Sequence, residues 1–139
     1  MFRRTAFAAL LLFLGANAFA HEGATGLVKE RMDSMSAIAR STKQIKQALQ
    51  EPRDGAAIRR AAHSIAAQSG SAMVKLFPYG SDRHPTKAKP EVWSNKAAFS
   101  ELAARLKDRA DALTAQPSMA NFKQMTAVCG ACHKAFRAK

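Results

Sequence analysis

The chain has 139 residues, 47% of them hydrophobic, and 22 lysines and arginines against 10 acidic residues give a formal charge of +12. That length supports one small domain around a single core and leaves no room for a second large folded unit. So basic a balance in a cytosolic protein would suggest nucleic acid, but the first twenty residues point out of the cytoplasm and set that partner aside.

Arg3 and Arg4 form a positive start, Ala6 to Leu14 an apolar run, and Ala18-Phe19-Ala20 a small-x-small cleavage site. This is the pattern of a secretory signal peptide over residues 1–20, whose removal leaves a mature domain of residues 21–139 beginning at His21 and destined for the periplasm. The apolar run is short for a bilayer span and Asn17 interrupts its end, so no integral membrane segment is expected in the mature chain. Cleavage removes two of the basic residues and none of the acidic ones. Outside the cytoplasm such an excess of cations suits an acidic redox partner or an anionic membrane surface, or is simply a solvated surface.

Helix-period patterns fill the mature chain, without strand patterns. The first helix is expected from about Gly26 to Gln50, with Val28, Met32, Met35, Ala39, Thr42, Ile45 and Leu49 on one stripe. Glu51-Pro52-Arg53-Asp54-Gly55 ends it. A second helix, about Ala56 to Phe77, points Ile58, Ala62, Ile65, Ser69, Met73 and Leu76 inward, and Ser69-Gly70-Ser71 marks a weak turn or a close contact. Pro78 to Pro90 is the longest loop, a connection across the bundle or around a cofactor edge. Pro90 opens a third helix with Trp93 near its start and Val92, Phe99, Leu102, Leu106 and Leu113 on its stripe. Gln116-Pro117-Ser118 breaks it, and Ser118 caps a fourth helix carrying Phe122, Met125, Val128, Cys129, Cys132 and Phe136. Four amphipathic helices joined by two short connections and one long one make an all-α, antiparallel four-helix bundle.

Both cysteines fall in one run, Cys129-Gly130-Ala131-Cys132-His133. C-x-x-C-H is the attachment signal of a c-type haem, in which two thiols add to the porphyrin vinyl groups and the next imidazole binds iron. Residues three apart on a helix share a face, so one turn of backbone can staple and ligate the macrocycle. A structural disulfide, a redox dithiol or half of a zinc site are the competing readings. Zinc needs further ligands, and the chain has no second C-x-x-C or H-x-x-x-H. A redox dithiol usually opens a helix after a strand, whereas this pair sits near the end of one.

A signal peptide, four helices, Cys-Gly-Ala-Cys-His-Lys-Ala-Phe-Arg at 129–137 and Lys-Pro-Glu-Val-Trp at 89–93 together resemble the cytochrome c′ family, the class II c-type cytochromes. The resemblance spans essentially the whole mature chain. It implies one covalent haem c near the C-terminal helix, with Cys129 and Cys132 holding it and His133 as the proximal iron ligand. Arg137 occupies the place of a basic residue beside the proximal imidazole, although a cation complementing the helix dipole explains it equally well. Phe136 stands where many members have Tyr, so no phenol hydrogen bond follows. Arg31 falls where the family often carries Arg near the distal pocket or a propionate; a solvated helix residue is the competing reading.

In this family the residue seven after the apolar one at Val28 faces the distal side of the iron, and here it is Met35. Members with Leu or Phe there keep a five-coordinate iron that binds small gases, and members with Met are six-coordinate, low-spin electron carriers. Met35 as distal ligand therefore implies the second branch, although a Met on an apolar stripe is also ordinary core filling. Met32, one turn earlier, is the competitor. Met73, Met119 and Met125 read as packing, and His63 as a half-exposed structural residue. His84 lies in the loop.

The function expected is that of a periplasmic monohaem electron carrier, with a nitric oxide or carbon monoxide binder as the alternative. A peroxide-reducing enzyme would need distal acid-base groups, and the first helix offers only Arg31 and Asp33. Open members of the family often dimerise through their first two helices, whereas low-spin members are often monomeric, so monomer and homodimer are both compatible with the sequence.

Overall fold

The computed structural model describes residues 25–50, 53–82 and 85–139. The signal peptide, His21 and His84 lie outside the described residues. Six helices follow in order: α1 (Gly26–Ala48), α2 (Gly55–Ala67), α3 (Ser71–Lys75), α4 (Glu91–Ser94), α5 (Lys96–Ala115) and α6 (Met119–Phe136). Helices α1, α2, α5 and α6 are the four long members of the bundle, and no strand occurs among the described residues. An all-α four-helix bundle is therefore what the periodicity predicted.

Local chemistry sets the boundaries. Asp54 accepts a hydrogen bond from the Ala57 amide, Asn95 from that of Ala98 and Ser118 from that of Asn121, so α2, α5 and α6 each open on a side-chain cap. The expected second helix is split between α2 and α3 by Gly70, at φ 60° and ψ −135°. Its amide donates to the Ala103 carbonyl of α5 at 2.9 Å. An added Cβ would sit 3.2 Å from Cδ of Lys107. Both expectations for this segment, a weak turn and a close contact, are met at one residue. Likewise the third helix is interrupted: Pro90 starts the single turn α4, and Asn95 restarts the chain as α5.

The core is built from Ile45, Ile58, Ala62, Ile65, Met73, Val92, Phe99, Ala103, Ala110, Leu113 and Met125, all nearly or fully sequestered. The stripes expected on the second, third and fourth helices lie inward. On the first, Ile45 and Leu49 are buried and Val28, Met32, Met35 and Thr42 half-buried as expected, but Ala39 is exposed and Arg31, Ile38 and Ser41 are buried beside the stripe. The large apolar Ile38 takes the inward place that a strict heptad assigned to Ala39, and the face turns accordingly. Met119 is a second correction. At the solvated start of α6 it is 44% exposed, while Met73 and Met125 are buried as packing residues.

Around the bundle, α1 packs on α2, α2 on α5 and α5 on α6, whereas α1 and α6 are not among the closely packed pairs. The fourth edge of the square is thus a seam that helix-to-helix packing does not close. Because L side chains are strained at the Gly70 backbone conformation and Lys107 occupies the space, Gly70→Ala is expected to destabilise the fold by about 1–3 kcal/mol in urea unfolding; a change below about 0.5 kcal/mol would contradict this packing.

Candidate haem site

One wall of the seam is the last two turns of α6. Cys129 and Cys132 are both half-buried free thiols packed against the hydrophobic core, and His133 follows on the exposed side of the same turn. Burial pushes the Cys129 thiol above its ordinary value, and it does the same to Cys132, where the neighbouring Cys129 adds to the effect. Redox-active dithiols show the opposite, a thiolate favoured by a helix N-terminus or a cation, and here the N-terminus of α6 is ten residues away from Cys129. Among the described residues no three His, Cys, Asp or Glu side chains are grouped so as to share a metal ion, which removes the ligand set a zinc reading needs. Two unpaired thiols on an apolar surface, with an imidazole one residue on, fit thioether bonds to a flat apolar macrocycle.

The last turn of α6 is held from outside. The amide of Lys89 donates to the Phe136 carbonyl at 2.9 Å and Lys89 Nζ to the Lys134 carbonyl at 3.0 Å, so carbonyls left without helical partners are satisfied. Ala88 and Arg137 form an isolated antiparallel bridge, with the Ala138 amide 2.8 Å from the Lys87 carbonyl. The long loop thereby returns to the C-terminal end of α6, beside the C-x-x-C-H run. Arg137 is the C-cap of α6, and its charge, after partial burial, is the second cause that holds the His133 imidazole below its ordinary value. Arg137 thus stands at the C-terminus of α6, where its charge acts on the His133 imidazole. Phe136 is buried, its ring edge-on to Phe99 with centroids 5.4 Å apart, and takes the place of a phenol with a purely apolar contact.

The other wall is α1. Met35 is half-buried against the same core cluster as the two cysteines. Met32 is also half-buried but is not among the residues packed on that cluster. Arg31, one turn before Met35, is not solvated: it is only 4% exposed. Its Nε donates to the Leu76 carbonyl at 2.6 Å, Nη1 to the Ser81 carbonyl at 2.7 Å and Nη2 to the Ser81 hydroxyl. The guanidinium lies 4.5 Å from the centre of the Phe77 ring and 5.6 Å from that of Trp93. Burial lowers its pKa, partly offset by Asp82. Asp33 lies in solvent, paired with Lys29 at 2.5 Å. Arg31 and Asp33 are therefore engaged separately and form no joint acid-base pair. His63 on α2 is exposed.

Nothing in the sequence signalled the surroundings of Arg31. Phe77, Trp93, Lys96 and Ser81 are dispersed over three elements, and only the fold assembles them. Stacked and hydrogen-bonded arginine among aromatics is readable from a sequence only when its partners lie at helical spacing.

A four-helix bundle whose last helix ends in C-x-x-C-H defines a c-type haem protein of the bundle class. Residues 26–137 match the family described as Cytochrome C′. Over 120 residues the chain is 33% identical to cytochrome c-556 of Agrobacterium fabrum, covering 82% of this chain and 77% of that protein. Among solved structures, cytochrome c′ from Thermochromatium tepidum superposes with a TM-score of 0.74 at 29% identity, covering 81% of this chain and 95% of that one. A nitric oxide complex of an isoleucine-for-leucine mutant of cytochrome c prime from Alcaligenes xylosoxidans gives 0.68 at 27% identity, covering 81% and 94%. The chain belongs to the cytochrome c′ family and is a haem c protein.

The buried thiols carry a direct test. In haem-free protein Cys129 and Cys132 should react with iodoacetamide at pH 8 more slowly than a small-molecule thiol, because burial disfavours the thiolate. Faster reaction would indicate an activated redox pair instead.

Proposed function

We propose that the protein is an exported monohaem electron carrier in which Cys129 and Cys132 hold the haem, His133 binds iron on the proximal side and Met35 binds it on the distal side. The observation that carries this reading is the position of Met35. It is half-buried on α1 and packs, like Cys129 and Cys132, against the hydrophobic core, and α1 and α6 are not among the closely packed helix pairs.

The haem supplies a one-electron iron couple. What the chain supplies is the ligand set and its surroundings. A neutral thioether opposite an imidazole, in an apolar seam, favours the ferrous state, and six ligands in both oxidation states keep rearrangement on electron transfer small. The Arg137 charge beside the imidazole acts in the same direction by disfavouring a further positive charge on the iron. No Asp or Glu occurs in α6, which carries Lys123 and Lys134, with Arg137 and Lys139 following. An acidic redox protein is therefore the partner this surface suits, and the charge would chiefly raise its association rate. Among the described residues no helix is long and apolar enough to cross a membrane.

A second reading, gas binding at a five-coordinate iron, draws support from the nitric oxide complex of the Alcaligenes xylosoxidans relative. On that reading Met35 is core filling. Absorption spectra of the holoprotein separate the two. The electron-carrier reading expects a low-spin spectrum with the weak far-red sulfur-to-iron band. It further expects Met35→Ala to lose that band and to bind carbon monoxide in the ferrous state roughly tenfold faster or more. A high-spin parent spectrum that shifts at once on adding carbon monoxide would establish the second reading. Export is tested on the same material: sequencing of the mature protein should begin at His21, and an N-terminus at Met1 would contradict cleavage.

A further inference from the structure

The turn from Leu76 to Ser81 is gripped from three helices. Its carbonyls receive donors from Arg31 of α1 at Leu76 and Ser81, from Lys96 of α5 at Phe77 (2.5 Å), and from the Trp93 indole of α4 at Pro78 (2.8 Å). The Ser81 hydroxyl, which accepts from Arg31, itself donates to the Pro78 carbonyl at 2.5 Å. Beneath the guanidinium, Phe77 meets Trp93 and Phe99, with centroids 6.2 and 4.9 Å away, and Phe99 meets Phe136 of α6. A continuous aromatic path therefore joins α1 to the residue three beyond His133.

The attachment matters because α1 has little else at this end. Its close helical neighbour is α2 alone. The seam toward α6 is open, and α1 begins without a side-chain cap at Thr25. Arg31 supplies the directional attachment in the first turns of α1, and Met35 is one turn further on.

We infer that Arg31 is a positioning residue for the distal iron ligand: its grip on the Leu76–Ser81 turn fixes the height and rotation of α1, and with them the reach of the Met35 thioether. This rests on the reading of Met35 as a ligand. A planar fork with three separate donors fixes orientation in a way a lysine ammonium does not. The charges facing it are Asp82, which stabilises the guanidinium, and Lys96, a second cation held by the same turn. With the fork removed, α1 can shift along the seam, and the weakly held thioether is displaced more often. The fraction of iron open to an added ligand then rises.

The test uses holoprotein with Arg31→Lys, Ser81→Ala and Met35→Ala beside the parent. Arg31→Lys keeps the charge and loses the fork; Ser81→Ala keeps both and removes one acceptor. Expected are a weakened far-red band and a roughly tenfold faster ferrous carbon monoxide association for Arg31→Lys, and a smaller change in the same direction for Ser81→Ala, both with unchanged helix content by circular dichroism. If Arg31→Lys fails to fold, Ser81→Ala and Trp93→Phe carry the same comparison. Association rates within twofold of the parent in folded variants would overturn the inference, as would a shifted reduction potential with an unchanged spin state, the mark of a purely electrostatic effect on the haem. Should Met35→Ala itself leave the spectrum unaltered, the ligand reading fails, and the inference falls with it.

Discussion

Four backbone carbonyls between Leu76 and Ser81 must find donors where no helix or sheet supplies them, and the way they are satisfied organises the end of the bundle. Arg31, Trp93 and Lys96 come from three elements to one turn. Burying a guanidinium is costly unless its donors are met, and here every described buried side-chain nitrogen and oxygen has a partner. Mutual satisfaction of this kind is directional. It fixes where α1 stands relative to α4 and α5 more sharply than apolar packing alone, which tolerates sliding and rotation.

The open seam is the complement of that fixed point. Three edges of the square are closed by helix packing; the fourth lies between α1, which carries Met35, and α6, which carries Cys129 and Cys132. In the proposed electron carrier that edge is where a large, flat, apolar cofactor would be held. The last turn of α6 is anchored by the returning loop through Lys89 and Ala88. That anchorage fixes the end of the helix on which the proposed ligand His133 lies.

Most of the architecture was legible from apolar spacing and end signals. Ser118 caps α6, Pro90 opens α4, and the inward positions Ile58, Ile65, Met73, Phe99 and Leu113 are buried as their periodicity requires. The C-x-x-C-H run was legible because its chemistry is compressed into one turn of helix. What escaped was of another kind. On α1 the inward place of Ile38 and the burial of Arg31 escaped, because hydrophobic spacing cannot anticipate that an arginine will be among the most buried residues of a helix, and its hydrogen-bond partners lie as many as 50 positions away in sequence. The interruption at Gly70 likewise depends on a neighbouring helix, α5, whereas that at Asn95 is a local cap across which the hydrophobic stripe continues. Local pattern marks such a place as weak without saying that the chain bends there.

In the proposed electron carrier a methionine sulfur, and no exogenous ligand, occupies the sixth position of the iron. Proton nuclear magnetic resonance of the fully reduced holoprotein, labelled at the methionine methyl groups, addresses it most directly. On this account the spectrum is diamagnetic and one methionine methyl is shifted far upfield by the haem ring current, and that signal is absent in Met35→Ala. A paramagnetic high-spin spectrum with no methionine methyl so shifted would contradict the account.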